Sequence, residues 1–195
     1  MGKDKRKTRN SSDIVLKLQD VTEGVDIAIA QVTSRVDHME KERTNFRDDL
    51  AYLKAQSMRN NIIFTGLPDN NTTENETTEV TEKKLREHLH LALKIHKEVA
   101  DTMKFEMVNR TSNERTPGKP RSIVAKFVFF KDRETVRRQW KHLSGTGFNV
   151  FEQFPPEVVA KRRKLLRKMR EARDQGKRAW IAYDTLYIDG RPVRD

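Results

Sequence analysis

Between Ile14 and Ser57 the chain has no proline and one glycine, Gly24. Apolar residues fall there at Ile14, Leu18, Val21, Val25 and Ala28, in alternating steps of four and three. A second register runs through Ile29, Val32, Val36, Met39, Phe46, Leu50 and Leu53, with Arg43 filling one core slot. This spacing draws one narrow apolar stripe along a helix and leaves its other faces charged. The two registers meet near Val25–Ile29 through one extra four-residue step, a stutter that locally unwinds a supercoil. At ~1.5 Å per residue such a helix runs about 65 Å. Amphipathic helices packed on their own domain seldom exceed ~25 residues. A narrow stripe of this length wants a copy of itself, so the expectation is a coiled coil over residues 14–57.

In the second register Val36 takes an a position and Met39 a d position, which puts Arg35 at g and Glu40 at e. The run Arg-apolar-x-x-apolar-Glu within SRVDHMEKE resembles a trimerisation motif of short parallel coiled coils. There the arginine reaches a glutamate of the next chain and shields the apolar layers. The expected assembly is a trimer built on Arg35, Val36, Met39 and Glu40, with a dimer as the alternative.

Composition fits an elongated part joined to small units. The hydrophobic fraction is 35%, below the roughly 45–50% of average domains. The 40 Lys+Arg outnumber the 29 Asp+Glu, for a net charge of +11. That excess predicts a polyanionic partner. With no cysteine, disulfides, Cys-ligated zinc and a thiol nucleophile are excluded. No apolar run reaches the ~18 residues of a membrane span, and the charged residues 1–10 have no signal-peptide core behind them, so no membrane partner is expected. The Asn-x-Thr triplets at Asn71, Asn75 and Asn109 then have no meaning. No nucleophile elbow, phosphate-loop signature or clustered carboxylate motif occurs, and the histidines lack ligand spacing. The chain is expected to be neither an enzyme nor a holder of cofactor or metal.

Residues 60–154 read as a small α/β unit. NNIIFTGLP is a strand ended by Gly-Leu-Pro, followed by a polar stretch, 69–82, with five acids and no base. A helix is expected over about 77–95, with Val80, Leu85, Leu89, Ala92 and Leu93 inward. Residues 102–111 alternate Met103, Phe105 and Met107 against Lys104, Glu106 and Val108, as a strand does. SNERTPGKP is a loop, and RSIVAKFVFF (121–130) is the strongest strand. Asp132 is placed to cap a second helix carrying Val136, Trp140 and Leu143. A last strand runs from Phe148 to Phe154. The order β-α-β-β-α-β is that of a split ferredoxin-like sandwich, the topology of the RNA recognition motif. The fold class is therefore α+β. Residues 155–195 form a third piece: a helix with Val158, Leu165, Met169 and Ala172 on one face, then short strands around Asp184 and an Asp189-Gly190 turn. Residues 161–178 hold ten Lys/Arg against two acids.

Parity separates the sheet faces. A lysine in mid-strand is costly to bury, so Lys126 belongs on the open face and Phe127 in the core. Ile62 and Phe64 go inward on the first strand, while Val108 and Arg110 are expected on the open face of theirs. That face then reads as basic rather than aromatic, suited to phosphates more than to stacked bases. Arg110 and Arg121 either face phosphate or pair with acids of 69–82. Lys161, Arg162, Arg163 and Lys164 read as a solvated helix face, a phosphate contact or a nuclear import signal. Trp140 and Trp180 are most simply core anchors.

Taken together, the coiled coil, MRNNIIFTGLP (58–68), NRT (109–111), PRSIVAKFVFFKD (120–132), FEQFPPEVVAKRRK (151–164) and IAYDTLYIDG (181–190) resemble one family. It is the RNA-binding protein encoded by the first open reading frame of LINE-type non-LTR retrotransposons, and the resemblance spans roughly residues 14–195. It implies a parallel homotrimer that coats single-stranded element RNA and acts as a nucleic-acid chaperone. It also implies binding of single-stranded DNA and a link to the element's reverse transcriptase through a shared RNA. Cytoplasmic ribonucleoprotein particles with nuclear access are the implied location. Its domains would be a basic disordered tail (1–13), the coiled coil (14–57), an RNA-recognition-motif-like domain (58–154) and a C-terminal nucleic-acid-binding domain (155–195). By resemblance Arg59, Arg110, Lys126, Arg162 and Arg163 match basic binding positions, and Tyr183 matches a tyrosine of the closing hairpin, with a core role as its alternative. The rival readings are a non-binding coiled-coil scaffold and a duplex DNA binder using the basic 155–175 helix.

Overall fold

The computed structural model describes residues 3–69, 76–111 and 119–193, with side chains from Ile14 onward. The chain divides into two compact units between Leu50 and Ala51. The first is carried by helix α1, Lys3–Ser57, whose bounds take in part of the segment read as a basic tail. Every described side chain from Ile14 to Leu50 is exposed, Val36 and Met39 included. The apolar stripe is therefore uncovered in the single chain.

The second unit holds two antiparallel sheets. The first joins β1 (Asn61–Thr65), β2 (Phe105–Arg110), β3 (Ile123–Phe127) and β4 (Asn149–Glu152) in the order β2-β3-β1-β4, every neighbouring pair antiparallel. Helices α2 (Thr78–Leu91) and α4 (Phe130–Arg138) cover one face, α2 on β2 and α4 on β1 and β3. Between them lies the core of Ile62, Phe64, Leu85, Leu89, Ile123 and Phe127, with their apolar neighbours. Ile62, Phe64 and Phe127 point inward as parity predicts, and Lys126 points out.

Four local expectations are corrected. Helix α2 stops at Leu91 rather than Ile95, and a further short helix, α3 (Lys97–Thr102), follows. The break is at Lys94, whose φ is +57°, yet Leu93 and Ile95 stay buried; the periodicity identified Leu85, Leu89 and Leu93 as inward but not the turn after them, and Val80, expected inward, is 46% exposed in the first turn. Strand β2 carries a register shift between Phe105 and Met107. A bulge flips the side-chain parity beyond it, so Val108 is in the core at 1% exposure and Met107 is outside. Arg110 follows Val108 to the inner side. Helix α4 starts after Phe129, with Asp132 in its first turn rather than at the cap. Finally, Trp140 and Trp180 are not core anchors, being 56% and 41% exposed. Helix α4 tightens at Gln139 into a 3-10 turn, Gln139–Leu143. Three residues per turn instead of 3.6 no longer stacks residue 140 over 136, so Val136 and Leu143 are buried and Trp140 is not.

Helix α5 (Pro156–Asp174) opens with proline, whose missing N–H costs nothing in the first turn, and buries Val158, Leu165 and Ala172. It packs against a meander of β5 (Ala179–Ala182), β6 (Thr185–Ile188) and β7 (Arg191–Pro192). Asp189 and Gly190, at φ +50° and +85°, form the doubly left-handed turn that matches strand twist. Trp180 lies opposite Tyr187 across the ladder, and the two rings stack at 5.5 Å on its outer face.

Candidate nucleic-acid interface

The cations expected on the sheet are held by carboxylates. Lys126 Nζ is 2.7 Å from Glu106 Oε1, a solvent-accessible pair that offsets its charge on the outer sheet face. Arg121 donates to Asp69 at 2.7 Å, an interaction that raises its pKa. Arg110 is buried, its side chain 4% exposed, beside Glu76 at 3.4 Å. It also donates to the carbonyls of Leu67, Pro68 and Arg121. It holds the strand ends together from within and leaves no guanidinium face for a ligand.

Other cations from distant parts of the sequence converge. Just past the end of α1, a turn closed by Asn61 N–H on the Met58 carbonyl (2.8 Å) presents Arg59. Its guanidinium lies 4.4 Å over the Phe130 ring. Buried Arg133 approaches the same ring at 5.6 Å and pairs with Glu134 and Glu152. From α5, the Arg162 guanidinium sits 4.4 Å over Phe154 and donates to the Tyr183 carbonyl at 2.5 Å. Burial lowers the pKa of Arg162, with Glu152 opposing that shift, and an arginine remains charged through such a change. Tyr183 occupies the β5–β6 turn at φ +52°. That conformation is uncommon for a bulky residue; here it directs the carbonyl to Arg162, while the ring meets Phe154 at 6.3 Å and Tyr52 at 6.4 Å. Lys161 reaches Asp184 at 3.4 Å. Arg163 is exposed and forms no ion pair with a described residue.

Two clefts adjoin at this junction. One, of about 530 Å³, is lined by Arg59, Phe130, Arg133, Phe154 and Tyr183 among others. The second, of about 580 Å³, runs by the free edge of β4 between Trp140, Phe151, Leu166, Arg162 and Arg163. Arg137, Glu152 and Phe154 border both. Arg137 pairs with Glu134 through two hydrogen bonds of 2.9 and 3.0 Å, and the contact with Arg137, then Arg133, lowers the Glu134 pKa. A further hollow of about 590 Å³ against α2 and α3 mixes Glu79, Glu82, Glu87 and Asp101 with Lys83, Arg86 and Lys97, so it lacks the cationic excess of the other two. No group of three or more His, Asp or Glu among the described residues could hold a metal ion. None of their helices is long and apolar enough to cross a membrane.

The sequence reading missed Arg137, Trp140, Phe151 and Phe154. Both phases of the strand after Gly147 contain aromatics, so alternation could not show that Phe151 faces out. Trp140 sat at helical spacing from Val136, and only the 3-10 turn reveals its exposure. The chain matches no protein-family model and no curated protein.

Proposed function

We propose that this protein is a homotrimeric, sequence-tolerant single-stranded nucleic-acid binder and chaperone that packages retrotransposon RNA. The observation that carries the reading is the convergence of Arg59, Arg162 and Tyr183 around the Phe130 and Phe154 rings. Guanidinium over aromatic, repeated along one surface, combines a charge for phosphate with flat faces for bases. On this reading residues 58–154 are an RNA-recognition-motif-like, ferredoxin-like sandwich, which the strand order β2-β3-β1-β4 with both long helices on one face supports. Residues 155–195 are its C-terminal companion. The exposed stripe of α1 supports self-association through Val36 and Met39, with Arg35 and Glu40 pairing between chains. Many exchangeable phosphate contacts would screen strand repulsion and let strands re-pair, which is chaperone action.

The ligand track shifts in consequence. Arg110, Lys126 and Arg121 are engaged within the fold, and the proposed track runs from Arg59 past Arg162 to Arg163. Filter binding of single-stranded RNA across a salt series tests it. Log K should fall linearly with log salt, and Arg163→Gln should reduce the slope by about 0.7, the loss of one phosphate contact on a single strand. A flat salt dependence overturns the electrostatic mechanism. Competition by duplex DNA that exceeds competition by single strands would replace the reading with duplex binding by α5.

A further inference from the structure

The cleft beside β4 has a chemistry that phosphate contact does not use. Trp140, Phe151, Val159 and Leu166 line it, at 56%, 54%, 42% and 38% exposure. Clustered large apolar side chains left open on a surface mark a binding site, more so in a chain whose residues are 35% charged. Among the described residues strand β4 pairs only with β1, and none of their strands closes that side. Three arginines, Arg137, Arg162 and Arg163, border the cleft against one acid, Glu152. Its volume of about 580 Å³ falls in the range of small-ligand pockets, ~300–1,000 Å³.

We propose that this cleft seats one unpaired nucleobase, stacked on Trp140 and Phe151, with the adjoining phosphate at Arg163. The proposal rests on the nucleic-acid reading above and adds a base-recognising position to it. Aromatic faces stack any base, so the position is sequence-tolerant. A base within a duplex has both faces covered, so the position selects single strands over duplex. A second copy of the chain is the poorer occupant, because an arginine rim opposes a net charge of +11.

The test uses the full chain carrying Trp180→Phe, which leaves Trp140 as the one tryptophan. The probes are an oligoadenylate and an abasic sugar-phosphate oligomer of equal length. Oligoadenylate should quench Trp140 fluorescence and the abasic oligomer should not. Trp140→Ala and, separately, Phe151→Leu should each weaken oligoadenylate binding by about 5- to 100-fold. Neither should change abasic affinity or the salt slope. Equal loss for both oligomers, or no loss for either, overturns the base site while leaving the nucleic-acid reading in place. A change in sedimenting mass, or in affinity for an acidic peptide, with oligoadenylate affinity unmoved would assign the cleft to a protein partner and overturn it as well. If the unsubstituted chain binds neither oligomer, both readings fall. Should Trp140→Ala melt early, the quenching and Phe151→Leu decide the matter.

Discussion

His88 is the one histidine drawn into the core, at 7% exposure. Its ring meets Phe148 at 4.7 Å and Phe64 at 6.2 Å, and among the described residues its Nε2 has no hydrogen-bond partner. Burial among apolar rings disfavours the imidazolium and lowers the pKa from 6.5 to about 4. The folded state therefore keeps the ring neutral while the unfolded chain protonates below pH 6.5. The stability linked to this residue is full above that pH and declines as pH falls toward 4. The expected loss by pH 4 is on the order of 2 kcal/mol after allowance for solvent screening. Urea midpoints between pH 7 and 4 check it: His88→Leu should flatten the decline relative to the unsubstituted protein. Parallel pH profiles would assign the acid sensitivity elsewhere. At the same scale, the fate of each cation was set by the group packed nearest to it. Lys126 and Arg121 found Glu106 and Asp69, whereas Arg59 and Arg162 found aromatic rings.

The elements meet through their turns. Strand β1 ends at Gly66, φ +89°, where an added Cβ would lie 2.3 Å from the Gly147 carbonyl oxygen, at the entry to β4. Backbone on both sides cannot yield as a flexible side chain would, and the left-handed φ adds strain of its own. Gly66→Ala should therefore cost at least about 2 kcal/mol. Gly147→Ala, whose Cβ meets nothing within 4 Å, should leave the thermal midpoint within a few degrees. Equal effects would mean that the two turns do not pack as described. The bulge in β2 and the 3-10 turn after α4 make the same point. Each shifts a periodic pattern by a fraction of a turn or by one residue, and each changes which side chain faces solvent. Met107 and Trp140 are exposed, and Val108 is buried, for that reason.

For the whole molecule the proposed trimer changes binding strength rather than contacts. Three weak modules on one coiled coil raise avidity by roughly 10²–10⁴ over one. Replacing Val36 and Met39 together by Asp puts charge into two adjacent core layers. Sedimentation equilibrium of the full chain should then fall from three chain masses to one. RNA affinity should drop by about 100-fold or more, with the salt slope per chain unchanged. A dimer mass for the unsubstituted chain overturns the trimer. An unchanged affinity in the dissociated chain overturns multivalency as the source of binding.

Some of this could be read from residues alone because it depends on local repetition. The proline-free 3-4 spacing of Ile14–Leu53 dictates a long amphipathic helix, and strict alternation in IVAKF settles that Phe127 goes in and Lys126 out. The apolar periodicity also picked most of the core on α2 and α5. Which cations remain available, and which aromatics line a cleft, depended on neighbours dozens of residues away. Glu76 and Arg110, Asp69 and Arg121, and Arg162 and Tyr183 come together only when the sheet and the C-terminal hairpin close. Net charge is a property of the sequence. Whether a given charge faces a carboxylate, a ring or solvent is decided by distances of a few ångströms that only tertiary packing sets, because electrostatic and hydrogen-bond energies fall away steeply beyond them.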